Sequence, residues 1–143
     1  MTSGTNTDAG PDTFGWLLAN FVRTTHGVRD AVAVSADGLL LAMSPSLDRA
    51  SGDHLAAVVA GLCSLSRGAS DRYDLGELKL MMIERRRGLM LVSSIPGGSC
   101  LGVIADSEAD VGTIGYEIAL LTERFGAVLT PALISDLRDH LPR

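Results

Sequence analysis

Residues 55–68 read LAAVVAGLCSLSRG, and no charged side chain occurs between Leu55 and Ser66. Wound as a helix, the stretch puts Leu55, Val58, Val59, Leu62 and Ser66 on one face and Ala57, Gly61, Ser64 and Gly68 on another. A surface helix in a small domain normally turns charge to water. This one shows a smooth strip of small residues instead, so it is expected to be covered on both sides. The rest of the chain must supply that cover or leave it to another molecule.

Upstream, Asp12 or Thr13 can cap a first helix whose Phe14, Leu17, Leu18, Phe21, Val22 and Thr25 recur at helical spacing, with His26 and Gly27 ending it. Trp16, Asn20 and Arg23 fall on the opposite side. Another part of the chain is expected to cover Trp16, with a partner surface as the alternative. Two β-like runs follow, Val28 to Ser35 and Leu39 to Met43. Asp37 and Gly38 between them supply the positive φ angles of a tight hairpin. The second helix then runs from about Asp48 to Gly68.

Downstream, Leu75 to Glu84 alternates like a strand, with Leu78, Leu80 and Met82 facing one way and Glu77, Lys79, Met81 and Ile83 the other. Strands at Leu89–Ile95 and Cys100–Ala105 flank a turn at Pro96, Gly97 and Gly98. Asp106 or Ser107, with Asp110 as a capping-box partner, is expected to start a third helix. Its buried stripe is Val111, Ile114, Ile118, Leu121 and Phe125, and Gly126 stops it. Thr130 and Pro131 sit at the cap and first turn of a short last helix with Leu133, Ile134 and Leu137.

The order helix, two strands, helix, three strands, helix, short helix describes an α/β (α+β) sandwich, a central five-stranded, mainly antiparallel sheet with helices on both faces. Strands apolar on consecutive residues, such as Leu39 to Leu41 and Leu89 to Val92, need cover on both sides. Helices one and three can share one face, which leaves one helix for five strands on the other. That shortage argues for a homodimer. If Leu78, Lys79, Leu80, Met81, Met82, Ile83 and Glu84 form a sheet edge, a symmetry mate can pair with it and bring two second helices side by side. The domain is expected over residues 12–128, with an N-terminal arm at 1–11 and a helical extension at 129–143 packing on the domain.

Composition excludes much. The 143 residues carry 12 basic and 17 acidic side chains, a net charge of −5, and six aromatics, so no nucleic-acid footprint is present. Lys79 is the sole lysine and no phosphate-binding loop sequence occurs. Cys63 and Cys100 lie far apart in sequence and are expected as two buried, reduced thiols, which points to the cytoplasm. The arm, Met1 to Pro11, has neither a basic start nor an apolar stretch and is expected to be disordered. Residues 88–105 approach the length of a membrane span but are broken by Pro96, Gly97 and Gly98, and two strands fit them better. His26, His54 and His140 have no triad or metal spacing. The run Arg85, Arg86 and Arg87 reads as a solvated hairpin end, with an arginine finger as the sharper alternative. Gly97 to Leu101 lacks the last glycine of a nucleophile elbow, and Asp71 and Asp74 read as loop residues rather than a calcium site. No catalytic residue, cofactor or metal is expected.

Several segments together resemble the Roadblock family, the dynein light chain Roadblock-type domain, and most closely its actinobacterial branch. They are Trp16-Leu17-Leu18 with Phe21-Val22; Gly27-Val28-Arg29 leading to Ser35-Ala36-Asp37-Gly38-Leu39; Leu55-Ala56-Ala57 with Gly61-Leu62 and Ser64-Leu65; Ala109-Asp110-Val111-Gly112 with Tyr116-Glu117; and Leu129-Thr130-Pro131-Ala132-Leu133. The resemblance implies a Roadblock/profilin-like fold, a homodimer with a continuous sheet, and a non-enzymatic regulator of a Ras-like small GTPase. In the actinobacterial branch it also implies a conservon, a set with a sensor-kinase-like membrane protein as a further partner. The paired second helices would supply the partner face, here Asp53, His54, Ala57, Ala60, Gly61, Ser64, Arg67 and Gly68. A pure scaffold joining the sensor-kinase-like protein to other components, without effect on GTP hydrolysis, is the alternative; an unrecognised hydrolase is more distant, lacking a paired nucleophile and base. Neither nucleic-acid binding nor direct membrane insertion is expected.

Overall fold

The computed structural model describes residues 10–142. Along the chain run α1 (Pro11–Thr24), β1 (Val28–Val34), β2 (Leu40–Met43), α2 (Arg49–Tyr73), β3 (Leu80–Arg85), β4 (Gly88–Ser94), β5 (Cys100–Ala105), α3 (Val111–Val128) and α4 (Pro131–His140). The five strands form one sheet in the order β2-β1-β5-β4-β3, antiparallel at every neighbour. This is the open, antiparallel sheet with helices on both faces that the element order predicts.

Side-chain alternation in β1 decides the two layers. Ala31 and Ala33 join a core with Phe14, Leu18, Ile118, Phe125, Leu133 and Leu137, so α1, α3 and α4 cover that face. Val32 and Val34 point the other way, to Ala56, Val59 and Cys63 of α2. Phe14 and Phe125 stack with ring centroids 4.1 Å apart and tie α1 to α3. The β1–β2 turn closes at Asp37 and Gly38 as expected, but Gly38 alone takes a positive φ, +87°, and Asp37 does not. From α4, Arg138 reaches that turn and donates to Asp37 at 2.8 Å and to the Ser35 hydroxyl at 3.1 Å.

Several boundaries differ from expectation. Gly10, not Asp12 or Thr13, is the N-cap of α1, with Pro11 in the first turn, so Pro11 belongs to the helix and not to an arm. Residues 1–9 of that arm lie outside the described residues. α2 continues past Gly68 to Tyr73; Asp71 is helical, and Asp74 caps the end in the left-handed region at φ 54°. Neither is a loop residue of the expected kind. The third helix starts later than Asp106 or Ser107, because Asp110 is itself the cap and accepts from the Thr113 N–H at 3.2 Å. Gly126 does not stop it. A Cβ there would stand 2.8 Å from the Pro96 ring, so the glycine lets the β4–β5 turn pack against the helix. Thr130 caps α4 by accepting from the Leu133 N–H, as expected.

Candidate partner interface

The seat of α2 on the sheet is set by Gly102. A Cβ at that position would lie 2.5 Å from Val59 Cγ2 and 3.3 Å from Val32 Cγ2, so the missing side chain is the socket into which Val59 fits. The buried line of α2 is therefore Gly52, Ala56, Val59 and Cys63, offset from the predicted face of Leu55, Val58, Val59, Leu62 and Ser66. Leu55 and Leu62 are half-buried on one flank and pack against the same cluster as Met81 of β3 and Met90 of β4. At the N-terminus Asp48 accepts from the Ser51 N–H at 2.8 Å, and Arg49 pairs with Asp53 at 3.1 Å. Both side chains of that pair are substantially exposed, so it adds little stability.

The other flank is bare. Asp53, His54, Ala57, Gly61, Ser64, Arg67 and Gly68 are exposed, and nothing stands within 4 Å of where a Cβ would sit at Gly61 or Gly68. Ala60 is half-buried toward Gly38 of the β1–β2 turn. The structure thus lines up all eight predicted residues along one side of α2. Among the described residues nothing covers the exposed seven, so the expected cover on that side is not supplied by them. Three large exposed residues were not among the predicted partner face: Leu65 is 76% exposed, Tyr73 67%, and Leu75, expected to start a strand, 68%. Leu65 and Tyr73 stand eight positions apart on one helix, a spacing that was available as a signal.

β3 is the sheet edge, as expected, but it begins at Leu80 and ends at Arg85. Leu78 and Lys79 precede the ladder, and their carbonyls accept instead from the Ser94 and Ser93 hydroxyls of β4. Met81 pairs with Val92 and Ile83 with Met90, which places both on the α2 side, half-buried. Leu80 and Met82 face the α3 side and are 43% and 48% exposed. Beyond them Tyr116 and Leu120 stand bare on α3, one turn apart. Glu84 is exposed, and Arg86 and Arg87 form the two-residue turn between β3 and β4. Trp16 is 58% exposed. Among the described residues nothing covers it, against the preferred expectation, because α1 turns Phe14, Leu18 and Phe21 inward and Trp16 sits across the helix from them.

A cleft of about 320 Å³ lies between the start of α1, β2 and α4 and contains Asp12, Ser44 and His140. These do not form a nucleophile and base. The Ser44 hydroxyl donates to Asp30 at 3.2 Å and accepts from the Ala31 N–H, while His140 Nδ1 meets the Asp136 carbonyl of its own helix. Among the described residues no three His, Cys, Asp or Glu side chains are grouped to hold a metal ion. Nor is any single helix there long and apolar enough to cross a membrane.

A five-stranded open sheet with a bare edge and a bare helix flank defines a two-faced α/β domain of the profilin-like kind. The Roadblock/LC7 domain family matches residues 14–105, and the chain belongs to that family. It is 38% identical to a Roadblock/LC7 domain from Streptomyces avermitilis, with a TM-score of 0.74 over 78% of this chain and 92% of that one. An MglB solved with a tetrameric arrangement is 18% identical with a TM-score of 0.70, over 94% of each chain. Profilin IB from Acanthamoeba castellanii, 12% identical, aligns with a TM-score of 0.53 over 80% of this chain and 97% of its own. The last two show the fold. No curated protein matches the chain.

Proposed function

We propose that the chain is a homodimeric, non-catalytic regulator that binds a Ras-like small GTPase and biases its nucleotide-dependent switch. The observation that carries this reading is the pair of unfilled surfaces on one side of the sheet: half-buried Met81, Ile83 and Met90 beside α2, and the small-residue flank of α2 itself. A second copy pairing along β3 would place its own α2 against the first and cover the methionine-rich floor. The tetrameric arrangement of an MglB supports self-association in general. The flank of Ala57, Gly61, Ser64 and Gly68 then stays open to the GTPase, whose backbone can approach closely where no side chain intervenes. A switch regulator needs differential contact with two states of its partner and no catalytic group of its own. Family membership supports the partner class, and the actinobacterial resemblance supports a signalling set with a sensor-kinase-like protein that recruits the complex to the membrane from the cytoplasm.

The test is purified protein mixed with Ras-like small GTPases from the same organism. Binding that changes GTP turnover or nucleotide exchange, and that Gly61→Arg abolishes while the dimer persists, is the expected result. Binding with neither rate altered makes the protein a scaffold. An absence of binding in both the GDP and GTP states overturns the reading.

A further inference from the structure

Two thiols 37 positions apart in sequence meet where α2 crosses the sheet. Cys63 Sγ and Cys100 Sγ stand 2.9 Å apart, both as free thiols. Their meeting follows from the seat of the helix. Val59 sits over Gly102, Cys63 is one turn beyond Val59, and Cys100 is two residues before Gly102 on the same face of β5. Both are free thiols as expected, but Cys100 is half-buried rather than buried, and the two are in contact.

The pair lies at the floor of a cleft of about 220 Å³ between α2, the β1–β2 turn and the β4–β5 turn. Arg67, one turn past Cys63, lines the same cleft, as does Asp37, whose carboxylate is taken up by Arg138 at 2.8 Å. The Cys100 S–H hydrogen bond, with help from the Arg67 charge, brings Cys63 down to about 7, whereas the same contact and burial push Cys100 upward. Near neutral pH the pair can share one proton, with Cys63, one turn from Arg67, the sulfur held lower.

We propose that Cys63 and Cys100 form a redox dithiol that undergoes exchange with low-molecular-weight disulfides, Cys63 attacking and Cys100 resolving. The Cys63 thiolate attacks one sulfur of the disulfide RSSR, forming a mixed disulfide and expelling RS⁻, which takes up a proton. Cys100 loses its proton and attacks the Cys63 sulfur; the new S–S bond forms as the second RS⁻ leaves and is protonated. The protein dithiol is oxidised and RSSR is reduced to two RSH. The two protein sulfurs need to approach by less than an ångström to reach a covalent length of about 2.05 Å. The product staples α2 to β5 directly beneath Ser64 and Arg67. The proposal stands apart from the GTPase reading, since every readout uses this protein alone.

The test treats the reduced full-length chain with bis(2-hydroxyethyl) disulfide, a member of the class small enough for the cleft. The wild type is expected to lose two hydrogens by intact mass, to yield a Cys63–Cys100 linked peptide, and to remain unlinked between chains on a non-reducing gel. Its Tm is expected to rise by roughly 5–10 °C and to return on adding dithiothreitol. Cys100→Ser should hold one stable mixed disulfide with a 2-hydroxyethylthio group on Cys63. Cys63→Ser should react about tenfold more slowly, and Arg67→Gln should slow the first step severalfold. Wild-type protein that keeps both thiols, or that collects two separate adducts or interchain disulfides, overturns the proposal. Because the wild type alone decides it, a variant that fails to fold does not rescue it.

Discussion

Replacing Gly102 by alanine puts a methyl group where Val59 Cγ2 already lies, 2.5 Å from the new carbon, with Val32 Cγ2 at 3.3 Å. Carbon atoms pack at about 3.5–4.0 Å, so Val59 must leave its rotamer or α2 must lift by roughly an ångström. Overpacking of this kind costs about 1–3 kcal/mol. Gly102 has an ordinary strand conformation, so the stiffer unfolded chain returns about 0.4–1 kcal/mol. A net loss of about 1–2 kcal/mol corresponds to a Tm drop of roughly 2–8 °C for a chain of this size, measured by far-UV circular dichroism. Val59→Ala removes the colliding methyl. The double variant should therefore be more stable than the sum of the single effects, by about 1 kcal/mol or more in a double-mutant cycle. A Gly102→Ala protein as stable as its parent, or strictly additive effects, would refute the argument that this glycine seats α2.

Charging the half-buried edge with Met81→Asp and Ile83→Asp should convert the dimer to a folded monomer, read by size-exclusion chromatography with light scattering; a wild type already monomeric at micromolar concentration contradicts the dimer. Asp48 and Asp110 accept from backbone N–H groups of Ser51 and Thr113, which holds both carboxyls below the usual value of 3.8. Their folded values lie below their unfolded ones, so their stabilisation is complete above that value and fades as pH falls through the folded one. Tm measured between about pH 4 and pH 2 should fall less steeply in the Asp48→Ala, Asp110→Ala double variant than in the parent. Phe125→Ala removes a fully buried ring stacked on Phe14 and should cost about 3–5 kcal/mol in urea unfolding. Trp16 is the single tryptophan, so emission of the free protein should be red and readily quenched by acrylamide. A blue, protected emission would mean that an interface covers it.

The strands and the two layers were readable because each strand carries its own record of what it faces. Ala31 to Val34 alternates between two apolar environments, and the Asp37-Gly38 turn declares the hairpin by its conformational need. Helix ends were harder to place. Asp106, Ser107 and Asp110 are all competent caps, and only the path of the chain out of β5 selects Asp110. Gly126 reads as a stop until Pro96 is seen against it. Trp16 could be assigned to the outer side of α1 but not to cover or exposure, since that depends on elements far away in sequence.

The candidate partner face shows the same division. Helical spacing alone collects Asp53, His54, Ala57, Gly61, Ser64, Arg67 and Gly68 on one side of α2, and the absence of charge from Leu55 to Ser66 sets that helix apart. Periodicity reports which residues share a side, however, and not how the helix is rotated on its sheet. That rotation is fixed by Val59 entering the gap at Gly102, a contact across 43 positions that no local pattern encodes. Once the helix is seated there, Ala56 and Cys63 turn inward, Leu55 and Leu62 are half-buried on one flank, and the small-residue flank is left bare. The same rotation brings Cys63 onto Cys100. Sequence by itself determined the elements, their order and their apolar sides, because those follow from bonding along the chain. Tertiary structure decided which sides meet, which remain open and which two sulfurs touch, because these depend on how one layer is set upon another.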